Sequence, residues 1–410
     1  MFTHIPSYQS FRLIFLLLGF LLALANVHCS KKAPSEPEEE PSIFKWTYND
    51  VQALNTMPAI GKDGSVYYSG KNAKTNKVAL FAFTADGKLK WKFERDSALP
   101  MTSPVVGSDG TIYVGHSNSL FALNPTSGEV IFEYQAAKEI STAFLALSMN
   151  NDIYFGAGDA LYAVSPSGDL KWRFVNPDLR FFNLSPVVGS DGTIFAGDMD
   201  KRAYTNGGII YAVTPDGQLK WKNNMLNKIS SQLTVGPGDT LFVGIYDNGL
   251  YALVPTNGGM FEIDEYMFAG GGDEERQSHS PVIGNQRYVL GSGLRAVSFP
   301  GGKLQWSLPI RYVRDVLIGE TNAFVLGTEE GTVLFAEKGG VYDGLFREEA
   351  DNKDFQPLSL LNLSADGTLY FCRGNTFYAY PADFSLLKNA VWPKMCHDSR
   401  NTSNINTAIY

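Results

Sequence analysis

One ten-residue segment, SPVVGSDGTI, occurs twice without a change, at residues 103–112 and again at residues 185–194. Looser copies of the 32-residue unit that begins with this segment (103–134) fill almost all of the chain between residues 43 and 381. Each copy holds four short β-prone runs, separated by tight-turn sequences such as Ser-Asp-Gly-Thr and Pro-Thr-Ser-Gly. One unit therefore predicts a four-stranded antiparallel meander, which can bury its faces only against neighbouring copies.

The second strand of the unit gives the clearest count of the copies. Its cores are SVYYSG, TIYVG, DIYFG, TIFAG, TLFVG, RYVLG, AFVLG and TLYFC, beginning at Ser65, Thr111, Asp152, Thr193, Thr240, Arg287, Ala323 and Thr368. Successive cores lie 36 to 47 residues apart, which is typical of one blade of a β-propeller. We therefore predict an all-β, eight-bladed propeller of four-stranded antiparallel blades. The blade cores are expected near residues 57–93, 102–134, 143–174, 184–222, 231–263, 279–308, 313–346 and 357–381.

The fourth strand of the last copy is missing from its expected place. The segment IFKWTY at residues 43–48 has the character of a fourth strand and no strands before it. We expect it to complete the last blade and close the ring, because closure removes an exposed sheet edge. Fourth strands also carry most of the tryptophans, whose rings we expect to cover the joints between blades while the N–H finds a polar partner. These structural tryptophans are Trp46, Trp91, Trp172, Trp221 and Trp306, and Trp392 lies in a closing tail at residues 390–410.

The N-terminus has the pattern of an export signal. Arg12 precedes an apolar run at residues 13–25, and Cys29 follows. The run is short for a lasting membrane helix. We predict a signal peptide at residues 1–28, lipidation of Cys29 and a flexible, Pro- and charge-rich tether at residues 29–42. The alternative is a signal that is uncleaved or cleaved elsewhere, with an incidental cysteine. We expect an exported outer-membrane or cell-surface lipoprotein on the periplasmic side.

Cysteine count and charge limit the chemistry further. If Cys29 carries lipid, Cys372 and Cys396 remain, either as a disulfide or as two unrelated buried thiols. The net charge is −8, and no basic stripe interleaved with aromatic residues is present. This composition argues against nucleic acid as a partner.

No motif in the sequence predicts catalysis or metal binding. His116, His279 and His397 are scattered at no metal-ligand spacing. The segment 198–200 (DMD) lacks the downstream Gly and Glu of a calcium loop, and the glycines at 270–272 have no strand–helix context for phosphate binding. We therefore predict no catalytic and no metal-binding residues.

Connection lengths differ between the two ends of the predicted ring. Links between strands one and two and between strands three and four are short and uniform, whereas the other links are long and variable. The long segments are residues 70–77, 176–183, 197–208, 264–277 and 347–356. Long loops on a rigid scaffold are where recognition usually occurs, so we predict a protein-binding face there. The candidates are Arg180, Phe181, Phe182, Arg202, Tyr204, Glu274, Glu275 and Arg276.

The repeat resembles that of a known family. Units of the form S-P-x-x-G-x-D-G-T-I-Y-x-G, L-Y-A-L-x-P-x-G and L-K-W resemble the pyrroloquinoline-quinone-type (PQQ-like) propeller repeat over residues 43–381. The tail is similar to a Trp-Pro…Asp…Thr-Gly segment of many bacterial secreted members. Trp392, Pro393, Asp398 and Thr402 keep that pattern, and Ser403 replaces the usual Gly.

The resemblance implies two alternative functions. Quinoprotein dehydrogenases of this kind hold the quinone and a calcium ion over the ring centre, often beside adjacent cysteines, which this chain lacks. Non-catalytic exported propellers, including the lipoprotein of the outer-membrane β-barrel assembly machinery, agree better with the signal, Cys29 and the single ring. We therefore expect a binding or scaffolding lipoprotein without a cofactor, monomeric or part of a larger complex with envelope proteins. A PQQ-dependent dehydrogenase or ligand-binding relative, and a binder of carbohydrate or surface polymer, are the alternatives.

Overall fold

Short runs of β-branched and aromatic residues, bounded by glycine-containing turns, favour strands over helices throughout this chain. The computed structural model describes residues 42–409 except 179, 199–206, 226, 246–248, 265–279, 285–287, 292–294, 299–302, 309, 311–312, 321–322, 338–339, 347–355, 383, 389 and 391. From Ile43 onward the chain belongs to a single unit. Within the described residues, the only helical element is a 3-10 turn at Pro237–Asp239.

The strands are short and follow one another in chain order. They are β1 (Trp46–Tyr48), β2 (Val51–Gln52), β3 (Ala59–Ile60), β4 (Val66–Asn72), β5 (Val78–Phe83), β6 (Leu89–Arg95), β7 (Val105–Val106), β8 (Ile112–His116), β9 (Ser119–Leu123), β10 (Val130–Gln135), β11 (Ala146–Leu147), β12 (Ile153–Ala157), β13 (Ala160–Val164), β14 (Leu170–Val175), β15 (Leu184–Val188), β16 (Ile194–Asp198), β17 (Ile209–Val213), β18 (Leu219–Asn224), β19 (Thr234–Val235), β20 (Leu241–Ile245), β21 (Gly249–Leu253), β22 (Met260–Asp264), β23 (Val282–Ile283), β24 (Tyr288–Gly291), β25 (Arg295–Ser298), β26 (Leu304–Ser307), β27 (Val313–Ile318), β28 (Phe324–Thr328), β29 (Val333–Glu337), β30 (Gly340–Leu345), β31 (Asn362–Leu363), β32 (Thr368–Arg373) and β33 (Thr376–Pro381).

The described strands form eight antiparallel sheets, as expected for an all-β propeller. We number them by their strands: sheet 1 holds β2–β6, sheet 2 β7–β10, sheet 3 β11–β14, sheet 4 β15–β18, sheet 5 β19–β22, sheet 6 β23–β26, sheet 7 β27–β30, and sheet 8 β31–β33 with β1. Sheet 1 differs from the predicted four strands, because β2 and β3 both pair with β4. Val51 faces Asn72 at one end of β4, and Ala59 faces Tyr67 at the other. The two short strands are thus pieces of one interrupted inner strand.

The two ends of the repeat region meet in sheet 8. Strand β1 pairs antiparallel with β33, so that Trp46 lies opposite Ala379. The Lys45 amide extends this pairing by donating to the Ala379 carbonyl at 2.8 Å. The segment predicted to complete the last blade therefore occupies its fourth-strand position.

The hydrophobic core lies between the faces of successive sheets. Second and third strands such as β8 and β9 are buried along their whole length, whereas fourth strands such as β10 alternate exposed and half-buried positions. One cluster joins Tyr113 and Leu120 of sheet 2 to Phe155 and Tyr162 of sheet 3. Each sheet thus buries its apolar faces against its neighbours, which is the reason that a single repeat cannot fold alone.

A β-bulge explains why Lys follows Leu in the Leu-Lys-Trp segment. In sheet 1 the register shifts between Ala82 and Phe83, so that Lys90 has no residue opposite it on β5. Its ammonium donates instead to Ser65 Oγ at 3.0 Å, next to the Asp-Gly turn of the same sheet. The same link recurs as Lys171–Asp152 at 2.7 Å, Lys220–Asp191 at 3.0 Å and Lys45–Asp366 at 3.2 Å. In sheets 1, 3, 4 and 8 this lysine therefore ties the fourth strand to the turn before the second strand.

Indole rings lie at the joints between sheets. In four sheets the Trp Nε1 donates to a carbonyl in the turn of the next sheet: Trp46 to Ala85, Trp91 to Pro125, Trp172 to Pro215 and Trp221 to Pro255, at 2.7 to 3.1 Å. The ring of Trp306 lies 5.2 Å from that of Phe324 in sheet 7, measured between ring centroids. Each of these indoles joins one sheet to the following one.

The C-terminal tail crosses one end of the propeller axis. Backbone amides near the ends of six inner strands donate to tail carbonyls: Ile60 to Ser399, Val106 to Arg400, Leu147 to Thr402, Val188 to Ser403, Ile283 to Trp392 and Ile318 to Pro393. These amides lie next to the links between strands one and two, so we call this the short-turn end. The opposite end, with the links between strands two and three and between successive sheets, is the long-loop end.

Candidate functional site

A cavity of about 460 Å³ opens among the inner strands at the long-loop end. Its lining comes from the interrupted first strands of sheets 1, 2 and 3 and from the end of β8. The lining residues are Leu54, Asn55, Thr56, Pro100, Met101, Thr102, Gly115, His116, Ser117, Ile140, Ser141, Thr142 and Ala143. A concave site of this size is within the range that holds small ligands or single side chains.

The cavity forms where inner strands take a longer path. In sheet 2 the pairing with the second strand breaks at Met101 and resumes at Val105. In sheet 3 the corresponding break runs from Ile140 to Ala146. In sheet 1 it runs from Gln52 to Ala59. The extra residues on either side of sheet 2 hold the segments apart and leave room between them.

Hydrogen bonds between neighbouring sheets fix these interrupted segments. The Met57 amide of sheet 1 donates to Ser103 Oγ of sheet 2 at 2.9 Å. The Ser103 amide donates to the Ala143 carbonyl of sheet 3 at 3.0 Å. The Phe144 amide donates to Ser185 Oγ of sheet 4 at 3.2 Å. The serine of the repeated Ser-Pro-Val-Val segment thus satisfies a backbone amide of the preceding sheet, and the cavity wall is rigidly held.

Two buried polar side chains of the lining have atoms without a hydrogen-bond partner among the described residues. They are Thr142 Oγ1 and His116 Nδ1, on side chains that are 3% and 7% exposed. Burial lowers the pKa of His116, and the nearby Arg95 guanidinium lowers it further. The imidazole also bonds the Pro100 backbone, so Nδ1 can only accept a hydrogen bond, whereas the Thr142 hydroxyl can also donate one.

Cationic groups border the cavity on two sides. The Arg95 guanidinium lies over the Phe93 ring, 4.2 Å from its centroid, close to His116. On the other side, Arg314 Nη2 donates to Asn55 Oδ1 at 2.7 Å. The thirteen lining residues include no carboxylate and no thiol. The local field therefore favours an anion or a neutral polar group, although the whole chain is acidic.

These residues do not fit a bound quinone with calcium. Calcium takes oxygen ligands that include carboxylates, and the cavity lining supplies none. Across the described part of the chain, no group of three or more His, Cys, Asp or Glu side chains could hold a metal ion. No step of a quinone-dependent oxidation can be derived from this arrangement.

The structure separates the sequence-predicted binding candidates. Phe182 is fully buried in the core between sheets 3 and 4, so its predicted place on an exposed binding face is wrong. Phe181 is 47% exposed at the long-loop end. Arg180 is held by Asp198, with Nε and Oδ2 at 2.5 Å, and by the Gly207 carbonyl at 3.0 Å. The remaining candidates, Arg202, Tyr204, Glu274, Glu275 and Arg276, lie outside the described residues, as do Cys29 and the predicted signal peptide.

Phe181 and the cavity are joined through one hydrogen bond. Ser141, which lines the cavity, donates from Oγ to the Phe182 carbonyl at 2.5 Å. The Phe182 amide is held in turn by the Gly158 carbonyl at 2.8 Å. The segment that carries Phe181 is therefore attached to the cavity lining. The repeat pattern of the sequence does not reveal the length of the interrupted segments, which creates the cavity.

At the short-turn end, charged groups are buried beneath the tail. Asp315 is 2% exposed, and its carboxylate accepts the Leu361 amide at 2.7 Å and the Val316 amide at 3.0 Å. Burial raises the pKa of Asp315 to about 6. Burial also lowers the pKa of Lys394, whose ammonium is enclosed by tail oxygens. These groups are occupied by internal contacts, so the short-turn end is a closed structural unit.

The two remaining cysteines do not form a disulfide. Cys372 and Cys396 are both free and buried. Cys372 packs in the cluster between sheets 8 and 1, and Cys396 packs with Met57, Phe144 and Leu360. Because burial raises the pKa of both thiols, to about 12 for Cys396, neither is a ready nucleophile. In the described residues, no helix has the length and apolar character that crossing a membrane requires.

Comparisons with known proteins agree with this fold. The family model described as outer membrane protein assembly factor BamB matches residues 50–205. No curated protein sequence matches the chain. The crystal structure of BamB from Moraxella catarrhalis is similar with a TM-score of 0.57 at 15% identity, over 82% of this chain and 96% of that chain. The C-terminal WD40 domain of Sif2 is similar with a TM-score of 0.60 at 13% identity, over 82% and 97%.

At such low identities the two solved structures show a common propeller fold and nothing beyond it. The family match is more informative, since it covers copies of the repeat that carry the resemblance. The match supports the sequence prediction of PQQ-like propeller repeats over residues 50–205.

Proposed function

We propose that this protein is a non-catalytic binding or scaffolding protein of the cell envelope, with a role in outer-membrane protein assembly. Its scaffold is an eight-bladed propeller closed by the N-terminal strand, and the long-loop end contacts a protein partner. One observation carries the proposal: the tail closes the short-turn end, while the long-loop end presents a cavity and the exposed Phe181.

The chemistry of the chain supports a binding role. Propeller ends present several loops on one rigid base, which suits protein contact. The buried Asp315, Lys394 and both thiols are held by internal contacts or burial and do not face the cavity lining. The match to the outer-membrane assembly family supports the envelope location, to which we add export and lipid anchoring through Cys29.

Site-specific photocrosslinking tests the proposed face. A photoreactive residue at position 181, introduced into the protein in its own cell envelope, is expected to capture a protein partner. The matched control is position 149, because Met149 is 58% exposed beside the link between the first two strands of sheet 3, at the short-turn end. Equal capture at both positions, or capture at 149 alone, would place the interface elsewhere.

A second experiment separates binding from catalysis. Calorimetric titration of the purified protein with the quinone and calcium is expected to show no stoichiometric binding, and a dye-coupled oxidation assay on alcohols and sugars no turnover. Tight binding accompanied by turnover would replace the scaffold proposal with a quinone-dependent oxidoreductase.

A further inference from the structure

We propose that the cavity among sheets 1, 2 and 3 is a carboxylate-binding site that receives an acidic side chain from an extended segment of the protein partner. The inference rests on the proposed function, since it identifies the chemistry of a partner bound at the long-loop end. It is carried by three features of the wall: donors without acceptors, bordering guanidinium groups and the absence of carboxylates in the lining.

The wall offers hydrogen-bond donors that a carboxylate can use. The Thr142 hydroxyl has no partner among the described residues. Asn55 accepts Arg314 through Oδ1, which leaves its Nδ2 as a donor group. Thr102 Oγ1 accepts the Gly115 amide at 2.9 Å, so its own proton is available to another acceptor. A carboxylate accepts several such bonds at once, and bonds to an ionised acceptor are stronger than neutral ones.

Charge selects among the ligands that would fit. The Arg95 guanidinium lowers the pKa of His116, and Arg314 is hydrogen-bonded to Asn55 of the lining. A cation would therefore be repelled and would find no counter-charge in the lining. An apolar group would leave the Thr142 hydroxyl buried without a partner, which is costly. Sugar is disfavoured because no Phe, Tyr or Trp lines the wall to stack on it.

The position of the cavity favours a side chain over a free small molecule. The Ser141–Phe182 hydrogen bond joins the lining to the segment that exposes Phe181. A partner that covers the Phe181 ring would contact the segment bonded to the lining, and we place a neighbouring residue of that partner in the cavity. Apolar surface at Leu54, Pro100, Met101 and Ile140 surrounds the donors, as expected for a pocket that receives the methylene groups of a glutamate.

The test uses the purified full-length protein with its histidines labelled, and follows the His116 imidazole by NMR, assigned with His116→Gln. The probes are glutamate blocked as N-acetyl and N-methylamide, the equally blocked glutamine, and the equally blocked lysine. We expect the glutamate probe to cause a saturable shift of the His116 signal. The glutamine probe should bind at least about tenfold more weakly, because it lacks a charge-assisted contact. The lysine probe should not bind. Equal affinity for the glutamate and glutamine probes would overturn the assignment. So would the lack of any shift with the glutamate probe up to about 100 mM, a concentration at which single-residue contacts are still detectable.

Two further measurements keep the inference separate from the proposed function. Arg95→Gln is expected to weaken the glutamate probe about fivefold or more while leaving glutamine binding unchanged. Unchanged glutamate binding in that variant would contradict a carboxylate site. If crosslinking at position 181 persists although the glutamate probe does not bind, the protein-binding face stands and the carboxylate site fails. Free glutarate is a further probe. If it binds more tightly than the blocked glutamate and does not reduce crosslinking at position 181, the ligand is a soluble acid rather than a side chain of the partner, and the inference fails.

Discussion

Lys394 donates from its ammonium to Asn401 Oδ1 at 3.0 Å, and this pair organises the tail at the short-turn end. The same ammonium donates to the Met395 and Asp398 carbonyls at 2.8 and 2.9 Å. Asn401 in turn donates to the carbonyls of Pro58 and Pro104, in the inner strands of sheets 1 and 2. The buried Lys394 ammonium thus satisfies three oxygen acceptors of the tail.

Replacing Lys394 by Met should destabilise the protein strongly. The apolar side chain fills similar volume but leaves three buried oxygens without donors, so we expect a loss of about 3 kcal/mol in unfolding free energy. Denaturant unfolding measures the effect. Lys388→Met is the control, because Lys388 is an exposed residue whose ion pair with Glu320 should be worth under about 1 kcal/mol. Similar losses in both variants would contradict the structural role of the buried ammonium.

Gly128→Ala should disrupt the joint between sheets 1 and 2. Gly128 has a φ of +73°, and an added Cβ would lie 2.6 Å from Cδ2 of the Trp91 ring. Strain and overpacking together should cost about 2 to 4 kcal/mol. The matched variant is Gly238→Ala, where φ is +64° but nothing lies within 4 Å, so only the backbone term of about 1 kcal/mol remains. Thermal midpoints that fall equally in the two variants would show that the contact with the indole is unimportant.

Ser103→Ala should cost more than its small change in volume suggests. The variant removes the acceptor of the Met57 amide and leaves a buried N–H unsatisfied, which is worth about 1 to 2 kcal/mol. Ser69→Ala serves for comparison, because Ser69 is also fully buried but its Oγ has no partner among the described residues. Its replacement should change the unfolding free energy by less than about 0.5 kcal/mol. The reverse order of the two effects would argue against the bonds between sheets.

Asp315 should make stability fall as the pH rises. Its pKa is raised to about 6 in the folded protein, from an ordinary value near 3.8, so the fold prefers the protonated acid. The contribution of this group is therefore fully present below about pH 4 and is lost as pH rises through about 6, with a range of at most about 3 kcal/mol.

The measurement compares thermal midpoints of the wild-type protein and Asp315→Asn between about pH 4 and about pH 8, which spans the titration of this group. The asparagine variant cannot titrate, so the difference in midpoint between the two proteins should shift in its favour towards the higher pH. Because the other carboxyl groups titrate in both proteins, only the difference between the profiles is diagnostic. Parallel profiles would mean that Asp315 has an ordinary pKa.

The sequence predicts the repeated elements well, because each strand depends on residues within its own unit. The Leu-Lys-Trp segment is an example: Lys171 and Asp152 both belong to one repeat, and their ion pair needs no knowledge of another sheet. The pairing of Trp46 with Ala379 also follows from the repeat, since only one fourth strand was left over.

The cavity depends on relations that a repeat pattern does not contain. Thr142 and His116 line the same cavity because the interrupted segments of sheets 1 and 3 contain more residues than that of sheet 2, and this consequence appears only in three dimensions. Similarly, the sequence alone gives no reason to distinguish Phe181 from Phe182. Successive side chains of an extended segment point in opposite directions, so one ring is buried and the other exposed.

The contacts of the tail and of β1 link segments that are far apart in the sequence. Strand β1 is synthesised long before its partner β33, and the carbonyls that satisfy Ile60 and Val106 belong to Ser399 and Arg400. Sheets 1 and 2 therefore keep these amides unsatisfied until residues 399–400 have been synthesised. Truncation before residue 392 should consequently disturb several sheets at once rather than one of them, and the nascent protein needs protection from aggregation until this segment has been made.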